Sequence, residues 1–108
     1  MVVLNVYYNG ENGSAKRFVE EMEKSGIAPS VRAEEGNIAY AYFSALGDDE
    51  TVILVEKWES QRALDTHQAS PAMSQIVRLR EKHGVTSKVE RFSSEDMPES
   101  DGKFVRTK

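Results

Sequence analysis

Thr51-Val52-Ile53-Leu54-Val55-Glu56-Lys57-Trp58 is the stretch that decides how this chain folds. It is rich in β-branched side chains and is bounded by the turn cluster Gly47-Asp48-Asp49-Glu50 and by Glu59-Ser60, so it reads as a strand. Side chains alternate across a strand, which puts Val52, Leu54, Glu56 and Trp58 on one face and Ile53, Val55 and Lys57 on the other. Both faces are apolar through the middle. An antiparallel sheet with one wet face alternates apolar with polar residues, so each face of this strand needs a cover. Helices of the same chain supply one, and a second copy of the sheet is the economical source of the other.

Working outward, residues 37–46 form a preceding strand, joined to residues 51–58 by a hairpin loop over residues 47–50. Tyr40 and Tyr42 point one way along it and Phe43 the other. Residues 2–8 read as the first strand and residues 85–92 as the fourth. Between the first two, Asn9-Gly10-Glu11-Asn12-Gly13 is a turn. Ser14 is then expected to cap a helix whose stripe is Ala15, Phe18, Val19 and Met22, with Gly26 as its stop. Residues 29–35 add a helical turn ended by Gly36. After the third strand, Ser60 caps a short helix carrying Ala63, Leu64 and His67. Ser70-Pro71 restarts a helix, Ser as cap and Pro in the first turn, with Met73, Ile76 and Val77 as its stripe and Gly84 as its end. The order β-α-β-β-α-β specifies an α+β, ferredoxin-like domain: a four-stranded antiparallel sheet with helices on one face. Residues 1–92 make that domain. Residues 93–108 form a polar extension in which Phe104-Val105-Arg106 is expected to be a short edge strand that crosses to a partner subunit.

Composition excludes several function classes. With 14 Lys and Arg against 18 Asp and Glu the net charge is −4, which disfavours a nucleic-acid surface. There is no cysteine, hence no disulfide and no thiolate for nucleophilic or metal chemistry, a pattern compatible with the cytoplasm. Met1 leads straight into Val2-Val3-Leu4 with no basic segment before it, and no apolar run reaches the ~18 residues of a membrane span. The only histidines, His67 and His83, do not form a metal-ligand spacing, and no metal site is expected. The glycines do not form a phosphate-binding loop, nor is there a Gly-x-Ser-x-Gly elbow.

The segment Val55-Glu56-Lys57-Trp58-Glu59-Ser60, followed by Ala63-Leu64, His67, Ser70-Pro71 and Met73, resembles the strand-to-helix signature of the antibiotic-biosynthesis-monooxygenase family. Glu35-Gly36-Asn37 before the second strand also resembles that family. The resemblance covers roughly residues 1–92 and implies a homodimer, a dimeric α+β barrel in which two sheets face each other with the helices outside. It implies a cavity between sheet and helices, and a reaction run without metal or flavin: the site stabilises a phenolate whose ring passes an electron to O₂. Trp58 and His67 stand where the family places its pocket groups. In the haem-degrading branch of the family, an Asn and a ligating His occupy the positions of Val6 and Val77. Neither valine can bind iron, so that branch is excluded.

The candidate catalytic residues are thus His67, as base or orienting donor, and Trp58, as aromatic wall. A histidine titrates near 6.5 and serves either acid or base work, although a lone histidine beside an apolar stripe is also a common packing residue. Glu56 shares a face with Leu54 and Trp58, so burial is expected to raise its pKa or demand a partner. Tyr40, Asn37, Leu54 and Val77 complete the expected substrate-binding set. The expected function is a cofactor-independent monooxygenase acting on a small aromatic or quinol. Two alternatives stay open: a non-catalytic small-ligand-binding or stress-response protein, and a sugar-phosphate isomerase of the same superfamily, a branch with Tyr in place of Trp58.

Overall fold

Strand β3 occupies Thr51–Trp58, the span its composition predicts, and burial alternates along it: Val52, Leu54, Glu56 and Trp58 are buried, Thr51, Ile53, Val55 and Lys57 half-buried. The computed structural model describes residues 1–106. The other elements are β1 (Val2–Asn9), α1 (Ser14–Lys24), α2 (Ile27–Arg32), β2 (Asn37–Ser44), α3 (Gln61–Gln68), α4 (Pro71–Lys82) and β4 (Thr86–Ser93), followed by a 3₁₀ turn at Glu99–Phe104. The four strands run in the order β2-β3-β1-β4, antiparallel at every pairing. This is the expected ferredoxin-like α+β sheet, with each helical crossover divided into two helices.

The core lies between the sheet and the helices. Val2, Leu4, Val6 and Tyr8 from β1 and Val52, Leu54 and Trp58 from β3 meet Ala15, Phe18 and Met22 of α1, Ala28 and Val31 of α2, Leu64 of α3 and Ile76 of α4. Burying each large apolar side chain here contributes roughly 1.5–3 kcal/mol relative to leaving it exposed. The other sheet face carries Val3 and Tyr7, Ile53 and Val55, Ala41 and Phe43, and Phe92, by the strand register. Among the described residues no element covers it, and Phe43 and Phe92 are 55% and 46% exposed.

Local chemistry differs from expectation at several points. Ser14 is not a cap but the first residue of α1; the position before it is Gly13, and the Ser14 hydroxyl accepts from the Glu11 N–H at 2.9 Å. Ser60 caps α3 as expected, accepting from the Ala63 N–H at 3.1 Å. Ser70 makes no such bond: its hydroxyl donates back to the His67 carbonyl at 2.6 Å and ties the two helices together. Pro29 falls inside the first turn of α2, where its missing N–H would have had no helical partner. Strand β2 ends at Ser44, short of Leu46, which is wholly exposed. Phe104 closes the 3₁₀ turn and Val105 and Arg106 belong to no strand of the single chain; the crossing strand expected at 104–106 would take its pairing from a partner subunit. Residues 107–108 of the expected crossing extension lie outside the described residues.

Gly36 has a positional requirement that shapes the site. Its φ is +84°, and a Cβ there would lie 2.5 Å from the Cβ of Ala63. Only glycine lets the start of β2 approach α3 this closely, and the contact is fixed by the Glu59 N–H donating to the Gly36 carbonyl at 2.9 Å.

Candidate functional site

That approach brings the α2–β2 connection against α3, and with it Glu34 against His67. The carboxylate of Glu34 lies 2.9 Å (Oε2) and 3.2 Å (Oε1) from His67 Nδ1. A carboxylate only accepts, so Nδ1 is the donor of this pair and Nε2 is the ring nitrogen turned away from Glu34. The imidazole stacks on the indole of Trp58 with centroids 4.8 Å apart and planes 23° from parallel. Trp58 is 0% and His67 3% exposed. Trp58 Nε1–H donates to Glu56 Oε1 at 3.1 Å, two residues back on the same face of β3. Tyr40 lies opposite Glu56 in the β2–β3 register and presents its ring edge to His67 at 6.5 Å. The Arg32 Nε–H, donating to the Tyr40 carbonyl at 2.8 Å, holds that part of β2 to α2.

The cluster is polar and buried. Burial pushes the Glu56 carboxyl pKa up, opposed by the Trp58 N–H and by the neighbouring His67 imidazole, and reinforced by the nearby Glu34 carboxylate. Burial likewise raises the hydroxyls of Tyr8, Tyr40 and Tyr42, keeping all three as neutral hydroxyl groups. Among the described residues, the Tyr42 hydroxyl is a buried oxygen with no hydrogen-bond partner; the Tyr40 hydroxyl influences its ionisation without meeting it in bonding geometry.

Glu56 yields a test of this electrostatics. An acid with a raised folded-state pKa holds its proton more tightly when folded, so stability falls as pH rises through that pKa. The cost is fully present above the folded pKa and vanishes below the ordinary value of 4.5. Glu56→Gln keeps an oxygen for the indole N–H and cannot ionise. Its unfolding free energy from urea denaturation is therefore expected to exceed the wild type's at pH 8, by about 1.4 kcal/mol for each unit of pKa elevation, with the gain shrinking toward pH 4.5. A gain independent of pH would show that the Glu56 charge is not the cause.

Of the expected site residues, Trp58, His67, Glu56 and Tyr40 come together. Leu54 sits beside them on β3, buried and opposite Tyr42 and Val6. Asn37 pairs in register with Trp58, but its side-chain amide donates to the Ala39 carbonyl of its own strand at 3.2 Å. Val77 is not in this group: α4 turns Ala72, Met73, Ile76 and Leu79 toward the core and leaves Val77 half-exposed to one side. Glu34 was not legible as a site residue, because it precedes β2 and meets His67 only through the fold. His83, the other histidine, is the C-terminal cap residue of α4 and places Nε2 2.8 Å from Glu21 Oε1.

Open hollows lie elsewhere. One is lined by Asn9, Glu11, Arg17 and His83, one by Gln75, Arg78, Leu79 and Lys82, one by Gly36, Glu59, Arg62 and Thr66, and one by Lys16, Val19, Tyr42 and Val52. Neither Trp58 nor His67 lines any of these four, and the cluster between sheet and helices is closed over by its own side chains. Among the described residues no group of three His, Asp or Glu is placed to hold a metal ion, and no helix is long and apolar enough to cross a membrane.

The sequence profile of the family described as Antibiotic biosynthesis monooxygenase matches residues 1–79, which span β1 through most of α4. The chain belongs to that family. A curated relative from Bacillus subtilis (strain 168), "Putative monooxygenase YcnE", is 31% identical over 67 residues, covering 62% of this chain and 68% of the relative. Among solved structures, a "putative antibiotic biosynthesis monooxygenase" from Deinococcus radiodurans superposes with a TM-score of 0.79 at 21% identity, over 91% of this chain and 96% of the other. SnoaB, a cofactor-independent oxygenase from Streptomyces nogalater, gives a TM-score of 0.75 at 14% identity, over 89% and 94%. At such identities the structural likenesses establish the shared fold. The antibiotic-biosynthesis-monooxygenase match includes Glu34, Tyr40, Glu56, Trp58 and His67, and it stops before β4 and the C-terminal extension.

Proposed function

We propose that this protein is a cofactor-independent monooxygenase acting on a small phenol or quinol, with the buried cluster at Trp58 and His67 as its site. The reading is carried by one arrangement: an imidazole fixed through Nδ1 by Glu34 and stacked on an indole, with Nε2 left to take a proton. In this reading His67 removes the hydroxyl proton of the substrate, and the resulting phenolate passes one electron to O₂, giving a phenoxyl radical and superoxide that then combine. Trp58 and Tyr40 wall the ring, Leu54 keeps the space apolar, and Glu56 fixes the indole. A dry site strengthens each of these electrostatic contacts. The test is oxygen uptake with a panel of hydroquinones and naphthols, with a chelator present and no flavin added. Uptake that depends on added metal or flavin, or no uptake with any member, would remove the proposal.

The apolar wall that Leu54 adds beside Trp58 supports a second reading, a ligand-binding protein without chemistry. Binding of the same phenols without oxygen-dependent conversion would select it.

We also propose a cytoplasmic homodimer, in which the open sheet faces of two copies meet. The support is the apolar centre of that face, with Val3, Ile53 and Val55 flanked by exposed Phe43 and Phe92. Met97, Phe104 and Val105 of the extension are also exposed and available to the partner. Val55→Glu puts a charge at the middle of this face without touching the helix-side core. It is expected to turn a dimer into a folded monomer in sedimentation at micromolar concentration, and deletion of residues 94–108 is expected to weaken the dimer. A wild-type protein that sediments as a monomer would end this part of the proposal.

A further inference from the structure

Tyr42 stands between two parts of the molecule. On one side it walls an open hollow of about 260 Å³ at the β2 edge of the sheet, together with Lys16, Val19 and Glu20 of α1 and Ser44 and Val52 of the sheet. On the other side its ring meets Tyr40 edge-on at 5.7 Å, and Tyr40 faces His67 in the same manner. Its hydroxyl is withdrawn from solvent and, among the described residues, meets no partner in hydrogen-bonding geometry, the Tyr40 hydroxyl being its neighbour. A buried hydroxyl without a partner has lost its hydration with no return, and such groups call for a specific explanation. Here one side chain, with its unpaired oxygen, both lines the free space and touches the aromatic edge of the closed cluster.

We propose that Tyr42 is the gate of the buried site: its side chain turns out into the hollow, and the space it leaves beside Tyr40 admits an aromatic ligand to Trp58 and His67. This rests on the reading of Trp58 and His67 as the substrate site. The turned-out state returns the hydroxyl to water, which offsets the loss of ring burial and keeps the two states close in free energy. The hollow is just below the size range of small-molecule sites, so it has room for one aromatic side chain. Its rim is wet, with Lys16 paired to the exposed Asp49 at 3.2 Å, so an outward-facing hydroxyl there finds solvent. Burial holds the Tyr42 hydroxyl protonated in the closed state, so the gate does not depend on pH near neutrality.

Trp58 is the one tryptophan of the chain, and its fluorescence reports the arrival of small molecules at the site. Acrylamide is the probe. Tyr42→Phe removes the oxygen that lacks a partner, and Val19→Phe fills the hollow; each favours the closed state and is expected to lower the quenching constant of Trp58 by about tenfold, the factor that ~1.4 kcal/mol gives. Tyr42→Ala removes the gate and is expected to raise it. Urea midpoints of the three variants identify those that retain the native fold. Unchanged quenching in folded Tyr42→Phe or folded Val19→Phe would overturn the proposal. No turnover enters the measurement: an inactive protein would remove the monooxygenase reading and leave the gate intact, whereas unchanged quenching would remove only the gate.

Discussion

Replacing His67 by glutamine is expected to lower oxygen uptake with a phenolic or quinol substrate by about 10²–10⁴-fold, the contribution of a positioned general base. The substitution is chosen for what it preserves. A glutamine amide retains an N–H for the Glu34 carboxylate, so the buried pairing with that carboxylate is kept. It also fills much of the space against the Trp58 indole. What it lacks is a nitrogen lone pair able to accept a proton near neutral pH. The loss of stability should therefore be modest, about 1 kcal/mol, and the urea midpoint should stay close to the wild type's. His67→Ala would be less informative, because emptying a site that is 3% exposed adds a cavity cost to any chemical one. If uptake by folded His67→Gln equals that of the wild type, the imidazole is a packing residue and the proposed base is elsewhere.

The largest effect on stability is expected at Trp58. It is the largest fully buried side chain, and Trp58→Ala should cost about 3–5 kcal/mol. That is a large share of the roughly 5–15 kcal/mol available to a domain. Two losses add here: the packing of the indole on His67, and the N–H that satisfies Glu56. Trp58→Phe separates them in part, since it keeps an aromatic ring against His67 and removes the donor together with one ring's worth of volume, a loss that the double-mutant cycle cancels. Glu56 is 7% exposed, so its carboxyl would then be buried without that bond. Combining Trp58→Phe with Glu56→Leu should recover part of the loss, with a coupling of about 0.5–3 kcal/mol for residues in direct contact. Urea denaturation of the four proteins in the cycle measures it. Strict additivity would mean that the indole–carboxylate bond contributes nothing and that Trp58 acts through its volume alone.

The strands and helices were legible because each is written in a local period. Alternation along residues 51–58 divided Glu56 and Trp58 from Val55 between two faces, and the structure turns the first of these faces to the helices. Helix α4 shows where local reading stops. Its apolar residues include both Ile76 and Val77, and neighbours on a helix stand about 100° apart. Which of them enters the core depends on how the helix is rotated against the sheet, and α4 buries Ile76. The serines show the same limit. Ser14 and Ser70 have the composition of caps, but a hydroxyl takes whichever partner packing brings within reach: the Glu11 N–H for one, the His67 carbonyl for the other.

By itself, then, the sequence determined the α+β order, the two-sided character of β3 and the family to which residues 1–79 belong. These follow from side-chain periodicity and from residues close together in the chain. Only the tertiary structure decided that Glu34 fixes His67, that Tyr42 keeps a hydroxyl without a partner beside a hollow, and that the region around Trp58 is closed. Each of those depends on elements distant in sequence, brought together where Gly36 lets β2 come close to α3 and where α1 lies against the edge of the sheet. No local pattern encodes such a meeting, because its geometry is set by how whole elements pack.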